Sequence, residues 1–119
     1  MNRTEVELCV KEQYAVVAEY LWEEDNITAV FRHENNKKWF GVLMQIPASK
    51  LGLNSERPVD VLDIKLEPAF IQELLREKHG QVFPAYRMNK KHWLTILLSS
   101  STEADLVKAL IDQSYGLTL

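Results

Sequence analysis

The chain has 119 residues, 46% hydrophobic and 26% charged, with a formal net charge of -3. That is the composition of one globular domain, 1–119, able to bury about two-thirds of its unfolded surface without staples. The acidic balance argues against a dedicated non-specific DNA binder, whose phosphate contacts need clustered Lys and Arg. One cysteine, Cys9, excludes an internal disulfide or a paired-cysteine metal knuckle. No apolar run approaches the roughly 20 residues of a membrane span, and the polar start Met1-Asn2-Arg3-Thr4-Glu5 carries no secretory core, so a cytoplasmic address is expected.

Taken in order, Thr4-x-x-Glu7 has the form of a capping box, and Val6, Val10, Tyr14, Val17 and Leu21 recur at helical spacing. The spacing predicts a first helix running to Asp25-Asn26. Glu5, Glu12, Glu19 and Glu23 would share another stripe of it, read as the solvated face rather than a cation site. Thr28 to Arg32 and Trp39 to Ile46 read as strands around the polar turn His33 to Lys38. In the second, Phe40, Val42, Met44 and Ile46 are expected to face the core, leaving Trp39, Gly41 and Leu43 on the other side.

Pro47 to Pro58 reads as a loop, and Val61 to Leu66 as a third strand with Asp63 and Lys65 on the face away from Leu62 and Ile64. Pro68 suits the first position of a second helix, which Gly80 would stop. Val82 to Met88 and Trp93 to Leu98 are predicted strands joined by Asn89 to His92. Ser100 and Thr102 offer caps for a last helix ended by Gly116. Helix, three strands, helix, two strands, helix, with short connections, predicts a two-layer α+β domain: a five-stranded antiparallel sheet with helices on one face, order αβββαββα.

Catalytic patterns are thin. His33, His79 and His92 stand at no metal-ligand spacing, Gly41, Gly52, Gly80 and Gly116 form no phosphate loop, and Cys9 reads as a packed helix residue. No enzyme activity, metal or cofactor is expected. The charges are uneven: seven acids lie in residues 1–25, whereas Arg76, Lys78, Arg87, Lys90 and Lys91 face Glu77 alone in residues 76–92. On the second face of the sheet, Trp39, Leu43, Trp93 and Leu97 would form an apolar surface needing a cover, from the 47–58 loop or from a partner. Arg32, Lys65, Arg87, Asn89, Lys90, Lys91 and His92 would stand at its rim. Cations beside aromatic rings suit a single-stranded nucleic acid, and equally a protein partner with a tryptophan anchor.

The stretch Pro84-Ala85-Tyr86-Arg87-Met88-Asn89-Lys90-Lys91-His92-Trp93, followed by Ser114-Tyr115, resembles the MmcQ/YjbR-like proteins. Trp22-Glu23-Glu24, Val30-Phe31-Arg32-His33, Lys38-Trp39-Phe40 and Ile64-Lys65-Leu66 stand in matching order. Tyr86-Arg87 departs from the Tyr-His of many members, so a histidine role there is absent. The resemblance implies the same αβββαββα order, with a sheet like that of type III secretion chaperones. It also implies DNA binding, placed here on the basic, aromatic segment 84–93. The alternative is a chaperone-like protein adaptor, in either case a monomer or weak dimer.

Overall fold

The computed structural model describes residues 1–119. Its elements are α1 (Arg3–Tyr14), β1 (Ala29–Arg32), β2 (Trp39–Pro47), β3 (Pro58–Lys65), α2 (Pro68–Glu77), β4 (Val82–Pro84), β5 (Trp93–Leu97) and α3 (Ala104–Leu117), with a 3-10 turn at Ala48–Leu51. The order αβββαββα is the one expected. All strand pairs are antiparallel, in the spatial order β1-β2-β3-β5-β4, which makes β3 the central strand. No helix is long and apolar enough to cross a membrane.

Two cores form, one on each face of the sheet. On the first, Val6 and Val10 of α1, Ile71 and Leu74 of α2, and Val107, Leu110 and Ile111 of α3 pack on Phe31, Phe40, Leu43, Leu62, Ile64, Leu94 and Ile96. Each such side chain contributes about 1.5–3 kcal/mol by leaving water. The second core holds Val30, Val42, Met44, Ile46, Val61, Ala85 and Trp93, with Trp39, Leu51, Val59, Tyr86, Met88 and Leu97 around it.

The assignment of β2 to faces differs from the expected alternation, and the cause is a β-bulge. Phe31 pairs with Gly41, but Arg32 pairs with Trp39, so Phe40 has no residue opposite it. An extra residue in one strand shifts the phase of every side chain beyond it. Phe40 packs among the helices, and a Cβ on Gly41 would point at the Phe31 ring only 2.9 Å away, on that same side. Beyond the bulge, Val42, Met44 and Ile46 therefore share the outer face with Trp39. Leu43 faces the helices and is fully buried, so it does not belong to the outer surface as expected.

Ser114 of α3 bridges β2 and β3 where their ladder stops, just past the Gly41–Ile64 pair. Its hydroxyl donates to the Phe40 carbonyl at 2.7 Å and accepts from the Lys65 N–H at 2.9 Å, tying β2 to β3 through a helix side chain. Its neighbour Tyr115 stacks on Tyr14 at 4.2 Å and meets Phe40 edge-on at 5.0 Å. Ser114-Tyr115 thus joins the last helix to the sheet.

Helix α1 is shorter than the spacing predicts. Asn2 and Glu5, not Thr4 and Glu7, form the capping box, with bonds of 2.8 and 2.9 Å. The helix stops at Tyr14, where Ala15 turns left-handed (φ 57°) and its N–H caps Lys11. From there the chain runs extended along β1, Glu19 and Val30 exchanging two backbone bonds of 2.9 Å. Val16 and Ala18 then pack inward while Val17 and Leu21 stay exposed. Glu19 and Glu23 consequently leave the acidic helical stripe. At the other end, neither Ser100 nor Thr102 caps α3; its N-cap is Glu103, whose N–H donates to the Gln81 side-chain oxygen at 2.9 Å. It runs through Gly116 to Leu117 instead of ending there.

Candidate binding cleft under the 84–93 segment

Strand β4 ends at Pro84, four residues before its expected end. The N–H of Tyr86 goes to the Thr95 hydroxyl (3.0 Å) instead of to the backbone of β5. With the ladder interrupted, residues 85–92 leave the edge and lie over the outer face, where Ala85, Tyr86 and Met88 join the second core. The 47–58 loop adds Leu51 to the same core. The outer face is thus covered by the chain itself, and Trp93 is only 9% exposed beneath that cover.

Asn89 organises the turn back into β5: its side chain accepts from the Lys91 N–H at 2.8 Å, and its carbonyl accepts from the N–H groups of His92 and Trp93. His92 is half-buried, its carbonyl bonded to the Leu66 N–H. Arg87, Lys90 and Lys91 are exposed. Arg87 sits at a left-handed φ of 69°, a conformation rare outside glycine. Its guanidinium lies 5.3 Å from the Tyr86 ring centroid and, through hydrogen bonding and charge, pulls the Tyr86 phenol below its ordinary pKa. The Lys90 ammonium is anchored on the Ala85 carbonyl at 2.8 Å.

The expected rim is only partly assembled. Lys65 is half-buried and paired with Trp93 across β3 and β5. Arg32 is clamped by both oxygens of Glu19, at 2.6 and 2.9 Å, which raises its pKa further. Arg32 lines a hollow of about 550 Å³ at the β1 edge, with Glu19, His33, Lys37 and Tyr115, and its charge there is already answered. Trp39 and Leu97 lie half-buried on the outer side.

A second cleft, of about 440 Å³, opens where the 84–93 segment meets the 22–28 segment. Trp22 and Trp39 meet edge-to-face across it, with centroids 6.3 Å apart at 85°. Val42, Met44 and Met88 complete its apolar walls, and Arg87, Glu24 and Asp25 stand at its rim. Asp25 accepts from the N–H groups of Ile27 and Thr28 at 2.8 and 2.9 Å. The Thr28 side chain and those backbone donors hold its carboxyl below the usual carboxylate range. Trp22 is 43% exposed, so this wall of the cleft is open to an incoming group. Of the cleft-lining residues, the expected site included only Trp39 and Arg87. Met44 was assigned to the opposite face, and Trp22, Met88, Glu24 and Asp25 come close only through the tertiary fold.

Next to the cleft wall lies a buried acid. Val30, Val42, Asp63 and Thr95 stand side by side across four strands on the outer face. Asp63 is fully buried, Thr95 donates to its Oδ1 at 2.5 Å, and its Oδ2 has no partner. Burial pushes the carboxyl up from 3.8 to about 7, against the lowering pull of the Thr95 bond and of the Lys90 charge. Asp63 was legible as an acid on the outer face of a strand, though not as a buried one. No group of three His, Cys, Asp or Glu side chains is placed to hold a metal ion.

A three-helix, five-stranded α+β domain whose outer sheet face is capped by the segment between its last two strands is the class this geometry defines. The sequence model of the YjbR family matches residues 11–117, and the chain belongs to that family. It is 36% identical over 118 residues to YyaQ of Bacillus subtilis, covering 99% of this chain and 98% of that one. A crystal structure of a Pseudomonas syringae protein superposes with a TM-score of 0.94 at 39% identity, with both chains fully covered. Deinococcus radiodurans DR2400 shares the fold at 21% identity and a TM-score of 0.73, covering 98% of this chain and 77% of its own.

Proposed function

We propose that this chain is a non-enzymatic protein-binding domain whose contact site is the cleft between Trp22, Trp39, Met88 and Arg87. One observation carries this: an apolar hollow of about 440 Å³ with two indoles in its walls and charges of both signs on its rim. A single apolar or aromatic anchor from a partner chain fits such a hollow, while Arg87 opposite Glu24 and Asp25 sets its orientation. A polyanion is disfavoured beside Glu24 and Asp25, and Arg32 is already neutralised by Glu19. Peptide display against the wild-type domain, with Trp22→Ala and Met88→Ala as counter-selections, tests the reading. Binders sharing an apolar anchor and lost in both variants support it. Binders indifferent to both substitutions count against it.

Nucleic-acid binding is the second reading, favoured by Arg87 and Lys91, which form no ion pair with a carboxylate, and by the guanidinium lying on Tyr86. It matches the DNA binding that family resemblance implies. Two phosphate contacts would give a log–log salt slope of about 1.4 on a single strand. Exchanging Lys90 and Lys91 for Glu should then abolish oligonucleotide binding. A wild-type domain that ignores oligonucleotide at low ionic strength removes this reading.

A further inference from the structure

We propose that residues 85–92 form a two-position lid over Asp63, hinged where Thr95 holds Tyr86 and moved by transfer of Lys90 to the unpartnered carboxylate oxygen. This inference rests on the cleft being the binding site, because Arg87 and Met88 of the lid are two of its walls.

The hinge is held by a chain of two hydrogen bonds. The Tyr86 N–H donates to Thr95 Oγ1 at 3.0 Å, and the Thr95 hydroxyl donates to Asp63 Oδ1 at 2.5 Å. Position along the lid is therefore tied to a buried carboxyl on the central strand. The other oxygen, Oδ2, is buried with no partner, a costly arrangement for an ionised acid and a tolerable one for a neutral acid. The positive charge that acts on this carboxyl is on the lid itself. Lys90 holds the Ala85 carbonyl at 2.8 Å, and its charge already acts on Asp63.

Beside the lid stand Lys50, whose charge reaches Tyr86, and the cleft acids Glu24 and Asp25 next to Arg87 and Met88. From β2 the outer face presents Val42 and Met44, and from β5 it presents Trp93, Thr95 and Leu97, none of them charged. On β3 itself, Lys65 lies two residues along the same face. The lid carries Tyr86, Arg87, Lys90, Lys91 and His92. Among these, Arg87 is engaged with the Tyr86 phenol and Lys91 is exposed. With Asp63 neutral, Lys90 stays on Ala85; the Thr95 bond to Oδ1 favours the ionised form and keeps Tyr86 anchored in either state. With Asp63 ionised, Oδ2 is the stronger acceptor, because it would join two opposite charges, whereas the bond to the Ala85 carbonyl has only its donor charged. Lys90 then leaves the Ala85 carbonyl, and Arg87 and Met88 shift with the turn, reshaping the cleft. The Asp63 carboxyl titrates near pH 7, so the lid changes position within the physiological range.

NMR on the free 119-residue chain tests this without any ligand, so the outcome is independent of whether the cleft binds a peptide. Amide signals of residues 85–90 and the Met88 methyl are followed from about pH 5 to about pH 9, together with the Asp63 carboxyl carbon. The expected result is one shared midpoint near neutrality. Asp63→Asn should abolish it, and Lys90→Met, an exposed position that leaves the core intact, should raise the Asp63 midpoint and flatten the Ala85 and Met88 shifts. His92→Gln should leave the midpoint in place, because that imidazole is not the group invoked. Lid signals that stay flat in wild type, persist in Asp63→Asn, vanish in His92→Gln or ignore Lys90→Met would overturn the proposal.

Discussion

Replacing Asp63 with Asn should change how stability depends on pH more than it changes stability itself. In the folded chain the Asp63 carboxyl titrates at about 7, against 3.8 when unperturbed. A folded-state pKa raised above the unfolded value means the folded chain holds the proton more tightly. The stabilisation tied to that proton is complete below about pH 4 and is lost as pH rises through 7. At 1.36 kcal/mol per pH unit, the loss has a ceiling of about 4 kcal/mol. Any movement of Lys90 toward the carboxylate takes part of it back. Asn keeps an oxygen for the Thr95 hydroxyl but cannot ionise, so the variant should lack this dependence.

Urea unfolding read by tryptophan fluorescence and by circular dichroism measures it. With a slope near 1.5 kcal/mol/M, the wild-type midpoint should fall by up to about 1.8 M between about pH 5 and about pH 8 from this group alone. Near pH 5 both proteins bury a neutral group with an unpaired donor, and they should agree within about 1 kcal/mol. Near pH 8 the variant should be the more stable of the two. Parallel curves for wild type and variant across that range would refute the assignment of a buried, orphaned carboxylate to Asp63.

Ser114→Ala should cost about 2–3 kcal/mol, because the Phe40 carbonyl and the Lys65 N–H both lose their partner inside the sheet, and thermal unfolding would show a drop of several degrees. Gly41→Ala should cost about 1–3 kcal/mol by forcing the new methyl against the Phe31 ring, visible as a lowered denaturation midpoint; an unchanged midpoint would mean that the bulge gives way. Chelator and reductant should leave the melting curve where it is, since Cys9 has no disulfide partner and no metal-ligand cluster is present; a large loss under either would point to a bound group.

The element order was legible because each segment carries its own periodicity and punctuation: Pro68 opening α2, Gly80 at φ 91° after it, and alternation in β3. What was not legible depends on partners distant in sequence. The strict alternation from Phe40 to Ile46 reads as one face, and only the pairing of β2 with β1 shows the extra residue. Val17 and Leu21 continue the helical spacing of α1, yet stacking of Tyr14 on Tyr115 and pairing of Glu19 with Val30 end the helix first. In the candidate site, the cations of the 84–93 segment could be listed but not their engagements. Lys90 on Ala85 and Arg32 on Glu19 are tertiary contacts that no local pattern announces.

The site features arise where the ladder of the sheet is interrupted. At Phe40 the bulge turns the following residues over and brings Trp39, Val42 and Met44 onto one face, which supplies three walls of the cleft. At Tyr86 a threonine hydroxyl takes the N–H that would have extended β4, which releases the chain to carry Arg87 and Met88 across to a further wall. The N–H freed at Tyr86 is satisfied by the Thr95 side chain, and where β2 and β3 part at Phe40 and Lys65 the Ser114 hydroxyl satisfies a carbonyl and an N–H. Thr95 in turn leans on Asp63, the one buried side chain left with an unpaired oxygen. The regular part of the sheet therefore sets the frame, and its two irregularities set the cleft. Substitution of Thr95, which is outside the cleft, should accordingly alter its shape.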